Sequence, residues 1–108
     1  MDIKHVTPAP LHEDLTNCDA APILLDVREQ WEFDYCNIKD SILIPMGQLP
    51  ARLDELDTSK EIIMICHHGI RSRQMGYYME QMGFSSITNL DGGVEQWARD
   101  VEPTMKRY

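Results

Sequence analysis

The sequence predicts an α/β fold, a parallel sheet with helices on both faces. Five short segments of strand length alternate with five segments of helical character. That order produces parallel strands joined by crossover helices. Three runs within them, Ile23–Leu25, Ile42–Ile44 and Ile62–Ile65, are apolar throughout. Continuous runs suit strands covered on both faces, so these three are expected in the middle of the sheet.

Ile3–Val6 reads as a first strand. Thr7 offers an N-cap, and Pro8 and Pro10 suit a first helical turn, which predicts a helix to about Leu15. Pro22–Val27 is the second strand, and Glu29–Tyr35 a short helix with Trp31 and either Phe33 or Tyr35 facing inward. Ser41–Pro45 is a strand closed by proline, and Gln48–Leu56 sets Leu49, Leu53 and Leu56 at helical spacing. Glu61–Ile65 is the fourth strand. Arg71–Met82 is a helix with Met75, Tyr78, Met79 and Met82 on one face, a soft core stripe, and Gly83 stops it. Ser86–Leu90 is the last strand, Asp91-Gly92-Gly93 a turn, and Val94–Arg99 a helix with Trp97 inward; the residues after it read as irregular.

At 108 residues the chain is expected to be one domain able to bury its own core. Ten basic against eighteen acidic residues leave a net charge of -8, which argues against nucleic-acid binding through phosphate contacts. No apolar run approaches a membrane span, and the opening residues lack the apolar core of a leader. A cytoplasmic location is expected. Cys18, Cys36 and Cys66 form no CxxC pair, so neither a disulfide framework nor a structural zinc site is expected. Cys18 and Cys36 sit in polar stretches and read as non-catalytic, with Cys36 open to oxidation.

Cys66 differs from both. It ends an apolar strand, a polar loop with Gly69 follows, and Arg71 opens the next helix. In open parallel sheets sites form at the carboxyl ends of strands. The thiolate is the reactive form of cysteine, and a helix N-terminus with a nearby cation favours it. The loop amides from His67 to Ser72 are placed to converge on the sulfur as an anion nest. Gly69 allows the sharp turn, Arg71 adds a fixed charge and Ser72 a hydroxyl or cap. His67 and His68 shape the loop and are positioned to add partial positive charge. A structural cysteine followed by an ordinary turn is the bland alternative.

Four segments carry a family resemblance: Leu25-Asp26-Val27-Arg28-Glu29-Gln30-Trp31-Glu32-Phe33, Ser41-Ile42-Leu43-Ile44-Pro45, Cys66-His67-His68-Gly69-Ile70-Arg71-Ser72 and Leu90-Asp91-Gly92-Gly93-Val94-Glu95-Gln96-Trp97. Together they resemble a single rhodanese domain, in the family's order and over nearly the whole chain. The resemblance implies a three-layer α/β/α sandwich on a five-stranded parallel sheet. It implies that Cys66 carries sulfane sulfur as a persulfide, that His67, His68, Gly69, Ile70, Arg71 and Ser72 form the substrate-binding loop, and that Asp26 and Arg28 support that loop. It implies a donor such as thiosulfate or a persulfide, a thiol- or cyanide-type acceptor, a sulfur-relay protein as a further partner, and no metal or organic cofactor. One segment departs: Cys36-Asn37-Ile38-Lys39-Asp40-Ser41 replaces the family's Gly-His-Ile-Pro-Gly-Ala-like stretch, which bears on the turn before the third strand. Two other readings stay open, a non-catalytic binding or redox-sensing module and a cysteine phosphatase or arsenate reductase of the related fold. The latter use Cys-x5-Arg, whereas Cys66 and Arg71 give the shorter Cys-x4-Arg.

Overall fold

The computed structural model describes residues 3–108; Met1 and Asp2, the start of the stretch read above for a leader, lie outside them. The elements follow in the expected order: β1 (Lys4–Val6), α1 (Pro8–Asn17), β2 (Ile23–Asp26), α2 (Gln30–Tyr35), β3 (Ile42–Leu43), a 3₁₀ helix (Leu49–Glu55), β4 (Glu61–Ile65), α3 (Ile70–Gln81), β5 (Ser86–Leu90) and α4 (Gly93–Asp100). All pairings are parallel and the sheet order is β1-β5-β4-β2-β3.

Side chains alternate across a strand, so one strand feeds two cores. In β4, Ile62 and Met64, with Cys66 just beyond, join Leu25, Val27, Leu49, Met75, Met79 and Phe84 beneath α3 and the 3₁₀ helix. Ile63 and Ile65 point the other way, into a core with Leu11, Leu24, Val94, Trp97 and Ala98 under α1 and α4. The result is the three-layer α/β/α sandwich on five parallel strands.

Three expectations need correction. The run Ile42–Ile44 is not central: β3 is an edge strand of two residues, and Ile42 is exposed. Beyond Leu43 the chain keeps its bonds to the last residue of β2 and the one after it, Ile44 N–H to Asp26 O and Met46 N–H to Val27 O, and Pro45 between them has no N–H to donate. The interior place goes to β5, whose Thr88 and Asn89 are buried polar residues that hide its position in the sequence. In α2, Trp31 and Tyr35 face solvent, Phe33 is only half-buried, and the inward residue is Glu32. On α3, Met75 and Met79 are buried as read, but Met82 is exposed past the helix end.

Candidate active site

Cys66 follows directly on the last residue of β4 and is 1% exposed. It lies at the floor of a depression of about 260 Å³ walled by His67, His68, Ile70 and Arg71. The chain must reverse within three residues to start α3, and Gly69 does so at φ +94°, in the left-handed region that a Cβ disfavours. This turn aims the Gly69 N–H at the Cys66 sulfur, 3.1 Å away. Ile70, the first residue of α3, is exposed on the rim.

The loop is fastened from behind by β5 and α4. Ser72 is fully buried, and its hydroxyl donates to Asn89 Oδ1 at 2.5 Å. The Asn89 amide donates in turn to Gly69 O at 3.1 Å and to Asp91 Oδ1 at 2.9 Å. The first free amides of α4 take the loop carbonyls: Val94 N–H donates to Cys66 O at 2.9 Å, and Glu95 N–H to His67 O at 3.0 Å. A Cβ on Gly93 would collide with those same two carbonyl oxygens, so the diglycine is a contact surface as well as a turn.

Arg71 is not a free cation. Its Nη1 and Nη2 donate to Glu32 Oε1 and Oε2 at 2.8 and 2.9 Å, an end-on fork. Glu32 is buried, and its carboxylate accepts two further bonds, from Glu29 N–H at 2.9 Å and from the Tyr108 hydroxyl at 2.7 Å. The Arg71 bonds hold its pKa down at about 2 despite burial, with the Glu29 amide and Tyr108 adding to the effect. Burial and the bond to this carboxylate push the Tyr108 phenol up to about 12.

Asp26 and Arg28 are fully buried and form their own pair, Arg28 Nε to Asp26 Oδ1 at 2.9 Å and Nη2 to Oδ2 at 2.7 Å. Asp26 also accepts the Arg28 N–H at 3.0 Å, which fixes the turn from β2 into α2. Neither bonds the loop 66–72 directly. Arg28 instead reaches the carbonyls of Glu32 and Cys36 and the Tyr108 hydroxyl, so its support travels through α2 and Glu32 to Arg71.

His67 stacks flat on Tyr108, centroids 3.9 Å apart, and against His68 at 4.0 Å. Burial, then the neighbouring His68, lowers the His67 pKa below the ordinary imidazole value. Cys36 is buried, with Arg28 Nη1 3.8 Å from its sulfur, so the expected oxidisable surface thiol is absent at that position. Among the described residues no group of three or more His, Cys, Asp or Glu is arranged to hold a metal ion.

Glu32, Asn89 and Tyr108 were not legible as site residues. Glu32 stands inside the Asp26–Phe33 motif, three residues after Glu29, and its capping-box spacing was a readable signal. Asn89, a polar residue next to the last apolar position of β5, was a weaker one. Nothing local marks Tyr108, which reaches the site across a long separation in sequence.

Comparison with known proteins agrees with this architecture. The chain matches the model of the rhodanese-like domain over residues 7–100. It is 34% identical to the Bacillus subtilis protein YtwF, over 95% of this chain and 98% of that one. It is 30% identical to the thiosulfate sulfurtransferase GlpE of Glaesserella parasuis, over 95% and 94%. The crystal structure of a rhodanese-related protein from Thermoplasma volcanium superposes with a TM-score of 0.82 at 31% identity, covering 93% of this chain and 95% of that one. With its motifs, its sheet order and these relatives in agreement, the chain belongs to the rhodanese-like domain family.

Proposed function

We propose that this protein is a sulfurtransferase that carries sulfane sulfur as a persulfide on Cys66. The observation that carries the reading is the Gly69 amide aimed at the Cys66 sulfur at the end of a central strand. The thiolate attacks the outer sulfur of thiosulfate. The donor's S–S bond breaks, and sulfite leaves with the bonding pair. The persulfide is left in the loop, with its outer sulfur toward the depression. An acceptor thiol or cyanide attacks that outer sulfur and restores the thiolate. One difficult transfer becomes two easier ones. Sulfite departs as an anion, so no general acid is needed. A low-molecular-weight or protein persulfide can replace thiosulfate, and a sulfur-relay protein can be the acceptor. A reducing compartment, the cytoplasm, suits the thiol.

Intact-mass measurement after thiosulfate treatment tests this. The wild type is expected to gain one sulfur, and so are Cys18→Ser and Cys36→Ser. Cys66→Ser is expected to gain none and to lose thiosulfate-to-cyanide transfer while staying folded. Substantial turnover by Cys66→Ser would overturn the mechanism. Aryl phosphatase activity is expected to be absent, because the Cys-x4-Arg loop is one residue shorter than an oxyanion loop of the Cys-x5-Arg type.

A further inference from the structure

Arg71 is the one lysine or arginine among the residues lining the depression. Its charge is matched by Glu32 through two bonds of nearly equal length. Glu32 cannot swing away, because the Glu29 amide and the Tyr108 hydroxyl pin its two oxygens and the residue is only 4% exposed. The neighbouring charges are also paired, Arg28 with Asp26 and Arg107 with Glu95.

We propose that Glu32 is a specificity-determining residue that holds Arg71 as a neutral pair, so that anion recognition falls to the loop amides and the pocket does not select a dianionic donor over a monoanionic one. The proposal rests on the sulfur-transfer reading above and names the donor class: persulfides and thiosulfonates are accepted on terms set by their sulfur rather than by a second negative charge. Two donors isolate the charge. Thiosulfate, a dianion, gives the persulfide and sulfite. Methanethiosulfonate, a monoanion, reacts by the same step: the thiolate takes the outer sulfur, the S–S bond breaks, and methanesulfinate leaves with the electron pair. The two reactions differ in one formal charge and one methyl group for an oxygen.

The quantity to read is the ratio of kcat/KM for thiosulfate to that for methanethiosulfonate, with cyanide as acceptor. Glu32→Gln leaves Arg71 unbalanced, and the ratio is expected to rise about tenfold, the order of effect of one unit charge a few ångströms away in a partly solvated site. Arg71→Gln is expected to lower it by a similar factor. The double variant Glu32→Gln/Arg71→Gln removes both charges and leaves no unpaired ion in the fold, so it keeps the test open should the single variants fail to fold. Its ratio is expected to match the wild type's, whatever fall in rate the two donors share. A purely structural role for Glu32 lowers both donors together and leaves the Glu32→Gln ratio unmoved. A role only in aiming a donor-reading Arg71 lowers the ratio in Glu32→Gln and in the double variant. Either result overturns the proposal while persulfide formation by the wild type stands. If the wild type takes sulfur from neither donor, the sulfur-transfer reading falls and the proposal falls with it.

Discussion

Each arginine that shapes the site is held by a carboxylate, and this decides what a single substitution does. Arg71→Ala leaves the Glu32 carboxylate buried without its cation. Breaking a buried pair from one side costs about 3–5 kcal/mol, and with Arg71 itself partly exposed the lower end applies. The variant is therefore expected to melt well below the wild type. Its kcat/KM for thiosulfate is expected to fall roughly tenfold, because the Glu32 carboxylate left without its cation repels the dianion. Arg71→Lys recovers only part, since an ammonium cannot reproduce the end-on fork on Glu32. Adding Glu32→Gln to Arg71→Ala is expected to restore much of the melting temperature and to relieve that repulsion, since no unpaired charge is left. Thermal unfolding of the three variants alongside thiosulfate kinetics checks this. Equal melting of Arg71→Ala and the wild type would show that the pair is solvated rather than structural. Cys66, Gly69 and Arg71 were legible as a group because a strand end, a turn and a helix start are local events. Glu32 stands 39 residues from Arg71, and its inward direction follows from packing that no local pattern encodes.

At the scale of the elements, the loop is held less by its own residues than by α4. The free amides of Val94 and Glu95 satisfy the carbonyls of Cys66 and His67, and Gly93 brings the helix close enough to do so. Gly93→Ala places a Cβ against both carbonyls, at a backbone position with φ +58°. The variant is expected to lose sulfur transfer by tenfold or more with the sheet intact, because displacing the Cys66 carbonyl moves the sulfur from the Gly69 amide, and misplacement of about 1 Å is enough for a large rate loss. Far-ultraviolet circular dichroism beside cyanide-acceptor kinetics checks it; full activity in Gly93→Ala would mean that α4 does not set the loop. Most elements were readable because their period and their glycine and proline punctuation are local. The failures share a cause. A run as apolar as Ile42–Ile44 reads as central, but sheet position depends on which strand finds which neighbour. Trp31, with Phe33 or Tyr35, reads as the inward face of α2, but the ion pair of Glu32 with Arg71 and the bonds from Arg28 claim that side of the helix.

Across the whole molecule, Tyr108 joins what the sequence separates. Its ring stacks on His67 of the loop and meets Trp31 and Tyr35 of α2 edge-on. Its hydroxyl accepts from Arg28 Nη1 at 2.9 Å and donates to Glu32 Oε2 at 2.7 Å. The irregular segment after α4 thus ties the first motif to the active-site loop, and the stability of the fold should follow the protonation of this cluster at both ends of the pH scale. The Glu32 pKa is depressed from 4.5 to about 2 in the folded protein. The ionised form is the one stabilised, so its contribution is complete above the unfolded value and is lost as pH falls from about 4.5 through 2. The size is on the order of 3 kcal/mol by linkage. The Tyr108 phenol moves the other way, from 10 up to about 12. Its protonated form is stabilised, so that contribution is complete below 10 and is lost as pH rises toward 12. Tyr108→Phe keeps the stacking on His67 and removes the hydroxyl. It is expected to be less stable than the wild type at neutral pH and to lose less on going from pH 9 to 12, since the titrating group is gone. Glu32→Gln is expected to flatten the acid limb between pH 4.5 and 2 in the same way. Urea unfolding of the wild type and both variants across these ranges measures the two limbs separately. An acid limb as steep in Glu32→Gln as in the wild type would assign the loss to other carboxylates. An unchanged alkaline limb in Tyr108→Phe would mean that the phenol is not held by Glu32 in solution.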